Sequence, residues 1–252
     1  MTAPSVSIGA HGLRWSLTAA QRSRIRVISF DLDDTLWDCD PVIVQAEQTL
    51  FEAMKERTPR ITQALSLADL REKRIEFARS HPEYRVDVTY LRTASLRDVL
   101  SEYAYPATLA EELFQIFYQA RSQVVLYDDA LDVLQSLATK FELAALTNGN
   151  ADLSIIGIDS HFADIQHASL NNPPKPDRTM FDRAAARLGV TTSQILHIGD
   201  NPTTDVDGAR NAGAHAVWFN QHGLEWPAEL AEPHGEIAKL SDLVTLLDTD
   251  QG

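Results

Sequence analysis

Two aspartates of this chain, Asp31 and Asp33, have the type and the spacing to carry out chemistry. They directly follow the apolar run Val27–Phe30, and charges at the end of a buried segment are costly unless they bind a cation or react. One carboxylate could attack phosphorus and form an aspartyl-phosphate, while the other could move protons to and from the leaving oxygen. The alternative is a solvated turn capped by aspartates, since Asp is common in turns.

Three further polar clusters follow along the chain, and each has a structural alternative. Residues 146–150 offer a hydroxyl, backbone N–H groups and a glycine that lets an anion approach closely, or else form a plain turn. Residues 174–176 hold Lys175 between two prolines, although a lysine is more often a surface charge. Residues 197–205 supply a second acidic cluster, whose last aspartate could instead cap a helix.

Short apolar runs predict the strands that must position these groups. The predicted strands span residues 25–31, 143–147, 165–169, 195–200 and 215–219, and helices are predicted over residues 129–138, 180–188, 206–212 and 241–247. Two of these helices end at Gly189 and Gly213, where a left-handed residue closes many helices. Strands that alternate with helices predict an α/β fold with a parallel sheet, and such sheets bind ligands at the carboxyl ends of their strands.

Residues 41–123 interrupt this alternation and carry only helical patterns. Asp40 and Pro41 are predicted to start the first helix, because Asp caps helix N-termini and Pro suits the first turn. Further helices are predicted over residues 67–78, 88–100 and 109–119. We therefore predict a helical domain over residues 41–123, a core domain of residues 25–40 and 124–252, and a mobile tail over residues 1–24.

Composition and charge exclude several classes of partner. The formal net charge of −14 over 252 residues disfavours nucleic acid and acidic membranes, because no basic stripe offsets it. The single cysteine, Cys39, excludes a disulfide framework and fits a reducing compartment. No apolar run approaches transmembrane length and no secretory apolar segment precedes Asp31, so we expect a cytoplasmic protein. The eight histidines lack the spacing of a metal-binding helix and are predicted to be structural or surface residues.

Together the four polar clusters resemble, in order and position, the four motifs of the haloacid dehalogenase-like (HAD) superfamily. The resemblance implies a Rossmannoid core with the strand order 3-2-1-4-5. It also makes residues 41–123 similar to the superfamily's type I cap, a helical insertion after the first motif. The catalytic roles it implies are Asp31 as nucleophile and Asp33 as general acid and base, with Thr147, Asn148 and Lys175 around the phosphoryl oxygens.

The resemblance also implies a Mg²⁺ ion. Its ligands would be the Asp31 carboxylate, the Asp33 backbone carbonyl and Asp200, while Asp205 would contact Lys175 or a metal-bound water. True haloacid dehalogenases do not use an aspartate at the position of Asp33, because halide leaves without a proton. The implied activity is therefore hydrolysis of small phosphate monoesters, with a phosphomutase left open.

A narrower resemblance concerns the substrate. Residues 30–36, 41–43, 81–84, 87–89 and 147–150 look like a group of bacterial HAD phosphatases of riboflavin biosynthesis, which act on 5-amino-6-(5-phospho-D-ribitylamino)uracil and on FMN. A broad-specificity sugar-phosphate or nucleotide phosphatase and a catalytically silent binding domain are the alternatives, although no motif residue is missing. If residues 85–92 are helical, Arg85, Thr89 and Arg92 share one face, which we predict contacts the leaving group unless it is simply solvated.

Overall fold

The computed structural model describes residues 7–8 and 14–248. The strands are β1 (Ser7–Ile8), β2 (Arg14–Trp15), β3 (Val27–Phe30), β4 (Glu142–Thr147), β5 (Asp164–His167), β6 (Ile195–Gly199), β7 (His215–Phe219) and β8 (Gly235–Ile237). The helices are α1 (Ala19–Arg22), α2 (Cys39–Arg57), α3 (Pro59–Ala64), α4 (Leu67–Ser80), α5 (Val88–Glu102), α6 (Leu109–Arg121), α7 (Ala130–Ala138), α8 (Leu153–Ile156), α9 (Thr179–Arg187), α10 (Gly208–Asn211) and α11 (Leu240–Asp248). Short 3₁₀ helices lie at Pro82–Val86, Asp159–His161 and Thr192–Gln194, and a π-helix lies at Pro202–Asp207.

The strands form one sheet in the order β5-β4-β3-β6-β7-β8-β2-β1. The six strands from β5 to β8 are parallel, and β2 and β1 join them antiparallel. The predicted α/β fold is confirmed, and so is the order 3-2-1-4-5, which corresponds to β5-β4-β3-β6-β7. The sequence predicts none of β1, β2 and β8, because runs of two or three residues are too short to show a period.

Helices cover both faces of the sheet. Strand β3 is buried on both sides, with Val27, Ile28 and Phe30 fully inaccessible to solvent. On one face the apolar side chains of α7 and α11 pack against Ile28 and Phe30, and on the other those of α9 and α10 pack with Val27. This double burial is why the strands read as nearly continuous apolar runs.

Helices α2 to α6 form a layer with an apolar cluster of their own. The three later helices predicted in this segment are confirmed as α4, α5 and α6, while the short helix α3 was not predicted. The residue before helix α2 is Asp38 instead of the predicted cap, Asp40. The helix therefore begins at Cys39, two residues before the predicted start at Pro41, and Asp40 and Pro41 lie inside its first turn. The division into a cap and a core domain stays a prediction.

The chain before β3 differs in part from the predicted mobile tail. Residues 14–24 contain β2 and α1, and Trp15 and Leu17 are buried in the core. The Ser16 backbone N–H donates to the carbonyl of His234 at 2.8 Å, which ties this segment to the far edge of the sheet. Residues 1–6 and 9–13 of the predicted tail lie outside the described residues. Every helix within residues 7–8 and 14–248 is too short or too polar to cross a bilayer.

Candidate active site

Asp31 and Asp33 lie at the carboxyl end of the central strand β3. The Asp31 backbone N–H still pairs with β6, donating to the carbonyl of Ile198 at 2.8 Å. The chain then turns sharply: Leu36 N–H bonds back to the Leu32 carbonyl, and Asp34 takes a left-handed φ of 58°. Because of this turn the two carboxylates meet different partners, Lys175 for Asp31 and Arg121 for Asp33.

Lys175 is a buried cation held between two carboxylates. Its Nζ donates to Asp31 Oδ1 at 2.9 Å and to Asp205 Oδ1 at 2.6 Å, and its side chain is 1% exposed. Burial by itself lowers the pKa of this amine, but the two carboxylates outweigh it and raise the pKa above its ordinary value. Lys175 therefore stays charged, and the alternative of a surface lysine is wrong.

Asn148 orients Lys175 through the backbone. Its side-chain amide donates to the Lys175 carbonyl at 2.9 Å, and its Oδ1 accepts the Lys175 N–H at 2.8 Å. Both polar atoms of the Asn148 side chain are thereby engaged, so its predicted contact with phosphate would come from the backbone. Sequence spacing does not reveal this pair, because the two residues are 27 positions apart.

Thr147 and Gly149 form the part of the site nearest Asp33. Thr147 ends β4, is 1% exposed, and its Oγ1 accepts the Gly149 N–H at 2.9 Å. A Cβ on Gly149 would lie 2.3 Å from Asp33 Oδ2 and 3.3 Å from Thr147 Oγ1. Glycine suits this close approach, and the predicted role of the turn in binding an anion stays a prediction.

Asp31, Asp200 and Asp205 come together as a possible metal site. One oxygen from each of the three lies within 4.8 Å of the others. The Asp205 oxygens already accept hydrogen bonds from Lys175 Nζ and from the Asn201 N–H, whereas the contact between Asp200 Oδ1 and Thr35 Oγ1 is long, at 3.4 Å. Asp31 and Asp200 are thus the better placed side-chain ligands. Their donor set of carboxylate oxygens suits a hard cation such as Mg²⁺.

The pKa values of these three carboxylates also fit a cation site at Asp31 and Asp200. Burial raises the pKa of Asp31 well above its usual range, against the opposing effect of Lys175. Burial and the neighbouring Asp205 raise the pKa of Asp200 to about 7. Burial also raises the pKa of Asp205, but Lys175 and, after it, His197 outweigh burial and hold the net value well below the usual range. A divalent cation at Asp31 and Asp200 would favour their ionised forms.

His197 lies next to the lysine without sharing its charge. Its Nδ1 pairs with Ser29 Oγ at 2.9 Å, and its Nε2 is 3.5 Å from Lys175 Nζ. Burial and the Lys175 charge lower the pKa of His197 to about 4, so the imidazole is neutral near pH 7. Its 3.6 Å approach to Asp205 is therefore no ion pair, and the prediction of a structural histidine agrees with this position.

Arg121 and Trp37 surround Asp33 and were not predicted. Arg121 Nη2 lies 2.6 Å and 2.5 Å from the two Asp33 oxygens, and Trp37 Nε1 donates to Asp33 Oδ1 at 2.9 Å. The Arg121 side chain is 2% exposed. The position of Arg121 at the end of an amphipathic helix gave no sequence signal, because arginine is also a common helix C-terminal residue.

The three residues predicted on one cap face lie in different surroundings. Arg85 belongs to the 3₁₀ helix before α5 and donates to the Ala78 carbonyl, so the premise of one continuous helix over residues 85–92 is wrong. Thr89 Oγ1 accepts a hydrogen bond from Asn150 Nδ2 at 3.0 Å, which joins α5 to the loop after β4. Arg92 is 12% exposed and pairs with Glu47, and its guanidinium carbon lies 3.6 Å from the centroid of the Phe117 ring.

Comparison with known proteins places this site in context. Residues 25–213 match the sequence model of the family described as haloacid dehalogenase-like hydrolase. The chain is similar to the 5-amino-6-(5-phospho-D-ribitylamino)uracil phosphatase YigB of Escherichia coli K12, with 33% identity over 89% of this chain and 97% of that protein. It is also similar to human N-acylneuraminate-9-phosphatase, with 26% identity over 90% of this chain and 95% of the relative.

Solved structures give the same picture of the fold. A 2-haloacid dehalogenase from Pseudomonas syringae pv. Tomato DC3000 superposes with a TM-score of 0.82 at 35% identity, covering 88% of this chain and 98% of that one. The magnesium-bound HAD-hydrolase YfnB from Bacillus subtilis superposes with a TM-score of 0.63 at 26% identity, over 89% of this chain and 99% of that one.

Proposed function

Because the chain belongs to the haloacid dehalogenase-like hydrolases, we propose that it cleaves small phosphate monoesters in two steps, through an aspartyl-phosphate on Asp31. It is an enzyme of the phosphoric monoester hydrolase class, as its relatives named phosphatases indicate. The observation that carries the proposal is the placement of Asp31: a carboxylate at the end of the central strand, bonded to the buried Lys175 at 2.9 Å.

The chain's own residues divide the two steps between them. An Asp31 oxygen attacks phosphorus, and the bond from phosphorus to the leaving oxygen breaks as Asp33 donates a proton to that oxygen. A water then attacks the aspartyl-phosphate, Asp33 takes a proton from it, and Asp31 and inorganic phosphate are released. Lys175 and the Thr147 hydroxyl hold the phosphoryl oxygens, whose negative charge Lys175 offsets.

Asp31, Asp200 and the Asp33 backbone carbonyl would hold Mg²⁺, with Asp205 keeping Lys175 in place. When bound, the ion neutralises the charge between the carboxylates and the phosphate dianion. The Asp33 side chain is directed to Arg121 and Trp37, so its share in the metal site would be the main-chain oxygen alone.

A dehalogenase is the competing activity, since the Pseudomonas syringae neighbour carries that title. Asp33 favours the phosphatase, because an alkoxide leaving group needs the proton that halide does not. In this chain Trp37 and Arg121 both donate to the Asp33 carboxylate and fix its orientation.

The substrate proposed first is 5-amino-6-(5-phospho-D-ribitylamino)uracil, with FMN as a second flavin-pathway ester. Its support is the similarity to YigB over nearly the full length of both chains. Helices α2 to α6 would act as the cap that meets the leaving group, with Thr89 as a cap residue in contact with the loop after β4. A broad activity on sugar phosphates or nucleotides and a silent binding domain are the alternatives.

The first experiment measures phosphate release with Mg²⁺ over a panel of esters: the ribitylaminouracil phosphate, FMN, a nucleoside monophosphate and a sugar phosphate. Asp31→Asn is the test variant, and Asp182→Asn, which alters an exposed aspartate of α9, is its matched control. We expect Asp31→Asn to abolish turnover and Asp182→Asn to retain it. Excess chelator should also abolish activity, and 2-chloropropionate should release no chloride.

Each result selects one candidate. Selective turnover of the two flavin-pathway esters supports the specific substrate. Similar rates on the sugar phosphate and the nucleotide would support the broad-specificity phosphatase instead. Chloride release from 2-chloropropionate would identify a dehalogenase. Phosphate release that survives Asp31→Asn would contradict the covalent mechanism, and no Asp31-dependent release from any ester would favour the silent domain.

A further inference from the structure

The ion pair between Arg121 and Asp33 joins two distant parts of the chain. Arg121 is the last residue of α6 and Asp33 lies just after β3, 88 positions earlier. One guanidinium nitrogen, Nη2, contacts both carboxylate oxygens, at 2.6 Å and 2.5 Å. The orientation of the Asp33 carboxylate therefore depends on where the last helix of the layer α2 to α6 sits.

The buried ion pair between Arg121 and Asp33 is expected to add little to the stability of the fold. Burying a guanidinium is costly, and a buried ion pair is often no more stabilising than apolar residues of the same shape. The other terminal nitrogen of Arg121, Nη1, is buried and has no hydrogen-bond partner among the described residues, which adds to that cost. A pair with these disadvantages is better explained by what it does to Asp33.

The surroundings leave the Asp33 carboxylate little freedom. Trp37 Nε1 holds Oδ1 from the side of the turn after β3. Gly149 lies so close that a Cβ there would be 2.3 Å from Asp33 Oδ2 and 3.2 Å from Arg121 Nη2. The guanidinium thus lies on a third side of the carboxylate and fixes it beside the Thr147–Gly149 turn, while 20% of the Asp33 side chain stays exposed.

We propose that Arg121 is a positioning residue for Asp33, through which the helical layer orients the acid and base of the reaction. The inference rests on the proposed phosphatase function and deepens it. Arg121 acts through Asp33 rather than on the substrate. Its removal therefore slows the steps in which Asp33 moves a proton and leaves substrate affinity nearly unchanged.

The test compares Arg121→Ala and Arg121→Lys with the wild-type enzyme on its best alkyl phosphate ester and on p-nitrophenyl phosphate. For Arg121→Ala we expect kcat on the alkyl ester to fall by about tenfold to a hundredfold, less than the roughly hundredfold to ten-thousandfold that an acid–base group contributes, because Asp33 itself is still present. We expect KM to stay within about threefold. With p-nitrophenyl phosphate, the pre-steady-state burst of nitrophenolate should keep its wild-type rate, because that leaving group needs no proton. Added guanidinium should restore part of the activity of Arg121→Ala.

Two controls separate positioning from a structural role. Arg97→Ala removes another arginine of the helical layer, paired with the exposed Glu111, and should leave kcat and KM unchanged. In an Asp33→Asn background, Arg121→Ala should lower kcat little further, because the carboxylate that Arg121 positions is already absent.

Four results would overturn this proposal while leaving the proposed function standing. A raised KM with kcat retained makes Arg121 a substrate ligand, and unchanged kinetics remove it from the reaction. A full additional loss in the Asp33→Asn background shows that it acts elsewhere. A lower melting temperature with activity lost and no rescue by guanidinium or by Arg121→Lys leaves only a structural role. A wild-type enzyme without Asp31-dependent phosphate release instead refutes the proposed function, and this inference with it.

Discussion

Lys175 shows at the residue scale how a buried charge is kept in this site. The amine is 1% exposed and is shared by Asp31 and Asp205, with Asp205 the shorter contact. A single cation between two carboxylates leaves a net negative charge, so Asp31 remains available to a phosphorus centre or a metal while Asp205 stays bound to the lysine. Position and charge of the proposed nucleophile thus depend on one side chain.

Replacing Lys175 by Met should destabilise the fold as well as abolish activity. Asp205, also 1% exposed, would lose its main partner, and breaking a buried ion pair costs about 3–5 kcal/mol. Arg178→Ala is the control, because its pair with Asp182 is exposed and contributes about 0–1 kcal/mol. Urea unfolding curves measure both. Equal losses in the two variants would contradict the role given to the buried pair.

The far edge of the sheet shows at the element scale how a short segment becomes structural. Strand β2 pairs with β8 at a single position, Trp15 opposite Gly235, so backbone pairing alone is weak there. Trp15 and Leu17 nevertheless lie in the same apolar cluster as the core of the sheet. Burial of these side chains therefore adds to the hydrogen bonds from Ser16 to the His234 carbonyl in holding the segment in place.

Leu17→Ala should therefore lower the free energy of unfolding by about 2–4 kcal/mol, the usual cost of truncating a buried leucine. Leu17 is 2% exposed, whereas the control residue Leu224 is 63% exposed. Leu224→Ala should stay within about 0.5 kcal/mol of the wild type. Denaturant melts of the two variants measure the difference, and a Leu17→Ala protein as stable as Leu224→Ala would show that the segment is dispensable.

At the scale of the whole molecule, the helical layer meets the motif loops through specific polar contacts. Arg121 binds Asp33, Thr89 accepts from Asn150, and Tyr118 donates to Asp152 at 3.2 Å. Each contact joins a helix of the layer to a loop at the carboxyl edge of the sheet, where the proposed chemistry takes place. The layer therefore contributes to the geometry of the site as well as covering it.

The pH dependence of global stability should carry a contribution from His234. This ring accepts the Ala216 N–H at 3.1 Å, faces Arg210 and packs edge-on against His215. Burial, helped by Arg210 and His215, lowers the pKa of His234 to about 4. The unfolded chain, with a pKa near 6.5, then binds more protons than the folded one, so stability is lost as the pH falls from about 6.5 towards 4.

His234→Gln should flatten this part of the profile, because Gln keeps an acceptor for Ala216 and does not titrate. Since His234 is partly exposed, we expect the wild type to lose only about 1–2 kcal/mol more than the variant over this range. Urea melts at pH 7 and pH 4.5 measure the difference. Asp200 has a raised pKa and therefore acts in the opposite direction on stability. It is present in both the wild type and the variant, so its contribution cancels in the comparison. Parallel profiles would show that His234 is already protonated or compensated in the fold.

The sequence by itself determined the parts of this protein that local patterns encode. An apolar run followed by Asp31 predicts a strand end with a reactive carboxylate, and the later clusters predict Thr147, Lys175 and Asp200 at the same edge. The structure does bring these residues together, because the carboxyl ends of parallel strands share one edge, whereas the reactivity of Asp31 stays a prediction.

Only the tertiary structure decided which side chains touch. The pairing of Arg121 with Asp33, the Asn148 clamp on the Lys175 backbone and the burial of Trp15 join residues that are 27 or more positions apart. No local period or propensity encodes such pairs, because they depend on how whole helices and strands pack. The separation of Arg85 from α5 is instead local: the helix begins only after Asp87, whose side chain caps it by accepting the Tyr90 N–H.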